Sequence, residues 1–108
     1  MNDLNATFAA LSDPTRRAIL GRLTTGQLTV GELAEPFHIS LPAISRHLRV
    51  LEAASLIVRE RRGQHRVCRL EPGALAAASE WLDFYRRFWS DSFGRLDQHL
   101  KRKTGTSK

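Results

Sequence analysis

Apolar residues recur at intervals of three and four through the first half of the chain, and residues that start or stop helices bracket each run. Leu4, Phe8 and Leu11 mark a short amphipathic helix over residues 3–11. Ser12-Asp13-Pro14-Thr15 ends it and opens the next, with Asp13 as N-cap and Pro14 at the first helical position. Ile19, Leu20 and Leu23 supply the apolar side of this second helix, and Gly26 stands where the exit calls for a left-handed residue. Thr29-Val30-Gly31-Glu32 has capping-box spacing for a third helix, whose buried side is Leu33, Ala34 and Phe37. Pro36 keeps that helix short, and His38 and Ile39 form the turn after it.

The most organised stretch runs from Ile39 to Ile57. Ser40 is a good N-cap, Pro42 lies in the first turn where a missing N–H costs little, and Ile39 and Ile44 have the spacing of a hydrophobic staple. Ile44, Leu48 and Leu51 then form one narrow apolar stripe. The side facing away carries Pro42, Ala43, Arg46, Arg49 and Ala53, with Ser45 on its flank. Such a surface, small near the N-terminus and cationic further on, suits entry into a DNA major groove. The same pattern also describes an ordinary surface helix with solvated arginines. A short helix, a tight turn and a longer helix with a basic side together make a helix-turn-helix arrangement.

After Ser55 the period changes. Leu56 to Glu60 and Arg66 to Leu70 are rich in β-branched residues and arginine, and read as a β-hairpin with its tip at residues 61–65. Beside a helix-turn-helix such a hairpin is a wing that contacts phosphates or the adjacent minor groove. The competing reading is a solvated edge hairpin whose arginines block strand addition. Pro72 then opens a long final helix, to about Lys103, on which Leu75, Ala78, Leu82, Tyr85, Trp89, Ser92 and Leu96 follow a three-four spacing. Trp81, Phe84, Phe88 and Phe93 widen the apolar side well beyond one face. Surplus apolar area of this kind marks a partner interface, here a dimer contact shared with the first helix, unless the helix folds back over the core.

Composition narrows the partner. A chain of 108 residues fits one domain, and a net charge of +6 favours a polyanion. No apolar run approaches a membrane span and no signal-peptide pattern follows Met1, so an intracellular, cytoplasmic protein is expected. Cys68 is the only cysteine, which excludes an internal disulfide and a cysteine-only metal site within one chain. Neither a glycine-rich phosphate loop, nor a nucleophile elbow, nor a carboxylate–histidine grouping of catalytic spacing is present, so an enzyme is not expected.

Five segments together resemble the ArsR family of bacterial winged-helix repressors. They are A-L-S-D-P-T-R-R-A-I-L at 10–20, T-V-G-E-L-A-E-P-F at 29–37, S-L-P-A-I-S-R-H-L-R-V-L-E at 40–52, R-E-R-R-G-Q-H-R at 59–66 and W-L-x-x-Y-R-R-F-W at 81–89. The resemblance implies a homodimer whose recognition helices enter successive major grooves of an imperfect palindrome, and repression by blocking a promoter. Metal-sensing members of the family carry a cysteine pair in the third helix, where this chain reads Glu32-Leu33-Ala34-Glu35. Others place Asp and His ligands on the final helix, where only Asp97 and His99 lie near each other. His38, His47, His65 and His99 make no ligand spacing, so no metal or cofactor is expected. His38 is read as a turn residue, His47 as packing beside the helix-turn-helix, and Cys68 as a buried strand residue in preference to a redox sensor.

The expected architecture is therefore mainly α with a small β-hairpin, a winged helix-turn-helix in the order α-α-α-α-β-β-α. It spans residues 1–103 as one domain, with the recognition helix at about 41–54, the wing at about 56–70, the dimerisation helix at about 72–103 and a flexible tail at 104–108. The expected DNA contacts are Ser40, Leu41, Pro42, Ala43, Ser45, Arg46 and Arg49 on the helix, and Arg61, Arg62, Gln64, His65 and Arg66 on the wing. Leu41 has two readings, a thymine-methyl contact or a core residue. The expected dimer contacts are Leu4, Phe8, Leu11, Trp81, Phe84, Tyr85, Phe88 and Trp89. The partners are a double-stranded DNA operator and a second copy of the chain, with no membrane and an unassigned small-molecule effector. The alternatives are a nonspecific nucleoid-type DNA binder and a protein-interaction module.

Overall fold

A computed structural model describes residues 3–104, with side chains described through Ser90. Helix starts fall on the capping residues. The Asp3 carboxylate accepts from the Asn5 and Ala6 amides and opens α1 (Leu4–Leu11). The Asp13 carboxylate accepts from the Arg16 amide at 3.0 Å and opens α2 (Pro14–Leu23). Two guanidiniums then reach back: Arg16 Nε donates to the Ala10 carbonyl at 2.7 Å and Arg17 Nη1 to the Leu11 carbonyl at 2.6 Å. They satisfy acceptors that the end of α1 would otherwise leave unpaired. Gly26, at φ +139°, turns the chain into β1 (Leu28–Thr29).

The expected capping box forms at α3 (Val30–Ala34): the Thr29 hydroxyl accepts from the Glu32 amide at 3.1 Å while the Glu32 carboxylate accepts from the Thr29 amide at 2.8 Å. Pro36 limits the continuation of this helix to one 3-10 turn, Glu35–Phe37, which ends in a left-handed His38 at φ 53°, ψ 37°. In α4 (Leu41–Ala53) the Ser40 hydroxyl accepts from the Ala43 amide at 3.2 Å. The helix ends when the Ser55 amide donates to the Glu52 carbonyl and the Leu56 amide to the Leu51 carbonyl, both at 3.0 Å, with Ser55 at φ 60°. That is a Schellman closure with serine in the place usually held by glycine.

The wing strands β2 (Ile57–Arg62) and β3 (His65–Leu70) are antiparallel. They run further than the sequence suggests: Arg61, Arg62 and His65 belong to the strands, and the tip is only Gly63 and Gln64. Gly63 has φ +63°, at the first turn position, where a tight hairpin of type II′ calls for glycine. A third strand was not expected. Leu28 and Thr29 pair with Cys68 and Val67, so the sheet order is β1-β3-β2 and a strand stands between α2 and α3.

The core lies between this sheet and the helices. Ile19, Leu33, Ile44, Leu48, Leu51, Leu56 and Cys68 are fully buried, and Ala74 from the start of α5 (Pro72–Thr104) joins them. Two compact units result, Met1–Ala78 and Ser79–Lys108, so α5 begins in the first and continues as the second. The helix takes in Thr104, the first residue of the expected tail, and the rest of that tail lies outside the described residues. Among the described residues no helix is long and apolar enough to cross a membrane.

Candidate nucleic-acid interface

With Ile44, Leu48 and Leu51 turned into the core, the opposite side of α4 is left to solvent. Pro42, Arg46, Arg49 and Ala53 are exposed, Ala43 and Ser45 are half-buried, and Ser40 is exposed at the N-cap. Leu41 is 58% exposed, which removes its reading as a core residue. On the wing, Arg61, Arg62, Gln64, His65 and Arg66 are all exposed.

The arginines of the first unit divide into two kinds. Arg16 and Arg17 bind carbonyls at the end of α1, and Arg22 Nη1 donates to the Glu32 carbonyl at 2.6 Å. Arg59 donates to Glu52 on α4, while Glu60 receives Arg69 at 3.1 Å and Arg62 at 3.5 Å. Arg69 beside it holds the Glu60 carboxyl below its ordinary value. The side chains of Arg46, Arg49, Arg61 and Arg66 have no hydrogen bond or ion pair among the described residues. The uncompensated cations are two on the recognition helix and two on the wing, while the others of this unit hold structure together. Glu52 and Glu60 were missed as organisers of the wing. Only the strand register brings Glu60 beside Arg69, nine residues away, and only the packing of α4 brings Glu52 to Arg59.

His47 does pack beside the helix-turn-helix, on the flank of α4 that faces α2. Its Nδ1 lies 3.4 Å from Arg16 Nη1 and 3.9 Å from Asp13 Oδ2. His38 is the expected turn residue, and Cys68 is the expected buried strand residue, its thiol pushed up by burial against a smaller downward pull from Arg59. Among the described residues no three His, Cys, Asp or Glu side chains lie close enough to hold a metal ion. The side chains of Asp97 and His99, like those of Ser92, Phe93 and Leu96, lie outside the described residues.

In the second unit, Trp81, Leu82, Phe84, Tyr85, Phe88 and Trp89 are each at least 40% exposed, Phe84 reaching 70%. At helical spacing they occupy roughly 160° of arc, with Asp83, Arg86, Arg87 and Ser90 on the other side. Tyr85 lies against Trp81 with the rings tilted by 50° at 4.7 Å and meets Phe84 edge-on at 5.3 Å. On α1, Leu4, Phe8 and Leu11 are half-buried, and Leu11 packs on the core.

Comparison with known proteins agrees with this arrangement. A family described as a helix-turn-helix domain matches residues 11–60. An HTH-type transcriptional regulator of Mycobacterium tuberculosis is 49% identical over 83 residues, 77% of this chain and 75% of the relative. The transcriptional repressor SdpR of Bacillus subtilis is 43% identical over 79 residues, 73% of this chain and 88% of the relative. The crystal structure of an ArsR family transcriptional regulator superposes with a TM-score of 0.74 at 42% identity, covering 81% of this chain and 96% of that one. With the capped helix-turn-helix, the arginine-bearing wing and these relatives in agreement, the chain belongs to the ArsR family of winged helix-turn-helix transcriptional regulators, a family of regulators and not of enzymes.

Proposed function

We propose that this chain is a sequence-specific repressor that binds a palindromic operator as a homodimer in the cytoplasm. The observation that carries the reading is the division of the arginines: Arg46, Arg49, Arg61 and Arg66 stand uncompensated on the recognition helix and the wing, while the other arginines of the first unit are used internally. Arg46 and Arg49 contact bases or phosphates, with Ser40, Leu41, Pro42, Ala43 and Ser45 near the groove floor. An arginine paired in fork geometry with guanine discriminates by about 1–3 kcal/mol per base. Arg61, Arg62, Gln64, His65 and Arg66 hold the backbone and carry salt dependence more than sequence preference.

The aromatic arc on α5 supports the homodimer, since exposed apolar area of this extent is normally covered by a partner. Trp81, Phe84, Tyr85, Phe88 and Trp89, together with Leu4, Phe8 and Leu11, are assigned to it. The naming of SdpR as a repressor supports the direction of regulation. Selection of bound sequences from random duplexes, followed by footprinting and gel shifts, tests the reading. A defined palindromic footprint whose selectivity is lost in Arg46→Ala is expected. Binding without sequence preference would point instead to a nonspecific nucleoid-type protein.

A further inference from the structure

We propose that Arg61 and Arg66 act as a two-guanidinium clamp on a single backbone phosphate of duplex DNA, an inference that rests on the DNA-binding reading above. The strand register sets these two residues directly opposite each other. Side chains alternate along each strand, so both lie on the hairpin face that carries Ile57, Arg59 and Cys68. Directly opposed residues have their Cβ atoms only about 4.5–5.5 Å apart, and like charges placed so repel. Neither guanidinium has a carboxylate partner among the described residues. Folding thus brings together two charges that nothing described on the chain neutralises, and a bound anion relieves their repulsion.

The other face of the hairpin is different. There the Glu60 carboxylate takes both Arg62 and Arg69, leaving one net charge spread over three side chains. Arg61 and Arg66 also border a cleft of about 250 Å³ with Glu52, Arg59 and Glu60. The two carboxylates in that cleft are already matched, Glu52 by Arg59 and Glu60 by Arg69. A phosphate accepts forked donors from two guanidiniums, and each such contact releases counterions from the duplex. The Arg61–Arg66 face therefore offers two uncommitted guanidiniums to one phosphate, while on the other face Glu60 occupies Arg69.

Fluorescence anisotropy of the full chain on a random-sequence duplex, over a salt series from about 50 to 200 mM, tests this without knowledge of the operator. Arg61→Ala and Arg66→Ala are each expected to weaken binding by about tenfold, and the double variant to lower the salt slope by about 1, since the pair neutralises one phosphate. The double variant should lose less than the product of the two, because the pair shares one phosphate. Arg61→Lys, which keeps the charge but not the fork, should leave the salt slope unchanged and retain only part of the affinity. Arg69→Ala should stay within about twofold of the parent chain. Without DNA at low salt, Arg61→Ala should melt higher than the parent, because the opposed charge is gone. A loss at Arg69 equal to those at Arg61 and Arg66, or fully independent losses in the double variant, would overturn the clamp alone. Failure of the unaltered chain to bind any duplex would overturn the regulator reading beneath it.

Discussion

Glu52, in the last turn of α4, accepts two hydrogen bonds from Arg59 of β2 on a single carboxylate oxygen, at 3.0 and 3.2 Å. The pair joins the recognition helix to the first wing strand, and it neutralises a cation that would otherwise add to the nonspecific attraction of the wing. An ion pair this exposed stabilises by about 0.5 kcal/mol, so Glu52→Ala should shift the denaturation midpoint only slightly. Its larger effect is on binding. With a carboxylate removed and Arg59 released, affinity for random duplex should rise while the ratio of specific to nonspecific affinity falls. Competition gel shifts read that ratio, and an unchanged ratio would contradict the tether.

Leu48 is fully buried in the stripe that seats α4 on the core, whereas Arg46, two residues earlier, is exposed. Leu48→Ala should destabilise by about 2–5 kcal/mol, from the lost transfer energy and the cavity left behind. Arg46→Ala should stay within about 0.5 kcal/mol of the parent. Urea denaturation of both variants separates the two sides of the helix; comparable losses would mean that α4 is seated differently.

His38 holds the helix-turn-helix turn in the left-handed region, at φ 53°. A β-branched side chain fits poorly there, so His38→Val should cost about 1–2 kcal/mol. His38→Gly removes the strain but adds freedom to the unfolded chain, and the two nearly cancel to within about 0.5 kcal/mol. Thermal melts of the two variants check the order, and a harmless valine would refute it.

Among the described residues three carboxylates are held below their ordinary values. The Arg16 amide does this for Asp13, ordinarily at 3.8, and the Thr29 amide does it for Glu32, ordinarily at 4.5. The Arg69 guanidinium does it for Glu60, also ordinarily at 4.5. On acidification the unfolded chain therefore takes up these protons first. Their contribution is fully present above the ordinary values and is lost as pH falls through the lower folded ones. On their account the urea midpoint should hold steady from pH 7 to about 5, then decline below about 4.5. Glu32→Gln should flatten part of that decline; an unaltered slope would show that the capping box does not contribute to it.

Cys68 is fully buried in β3, and burial raises its thiol above the ordinary value, so little thiolate is present at neutral pH. The folded chain should react with a thiol reagent only as fast as it opens, and urea should restore rapid labelling. Rapid labelling of the folded chain at pH 7 would instead identify an accessible thiol.

Helix starts and stops are local matters, and so they could be read directly. Asp13, Thr29 and Ser40 each satisfy an amide within three residues, and the Ile44, Leu48 and Leu51 stripe needs only the helical period to show which side is buried. The aromatic excess on α5 was visible for the same reason, since six side chains at helical spacing declare an apolar side whatever stands opposite. Strand β1 has two residues and no period to read, and its existence depends on β3 arriving beside it. Which arginines stay uncompensated was undecidable from charge alone. Arg59 and Arg61 are equivalent in sequence, yet α4 brings Glu52 to one, and the hairpin register sets Arg66 against the other. Composition and period thus determined a basic winged helix-turn-helix with an aromatic last helix, because those signals are carried by near neighbours. The tertiary structure alone decided which cations remain uncompensated, because charge compensation depends on residues far apart in the chain that folding makes adjacent.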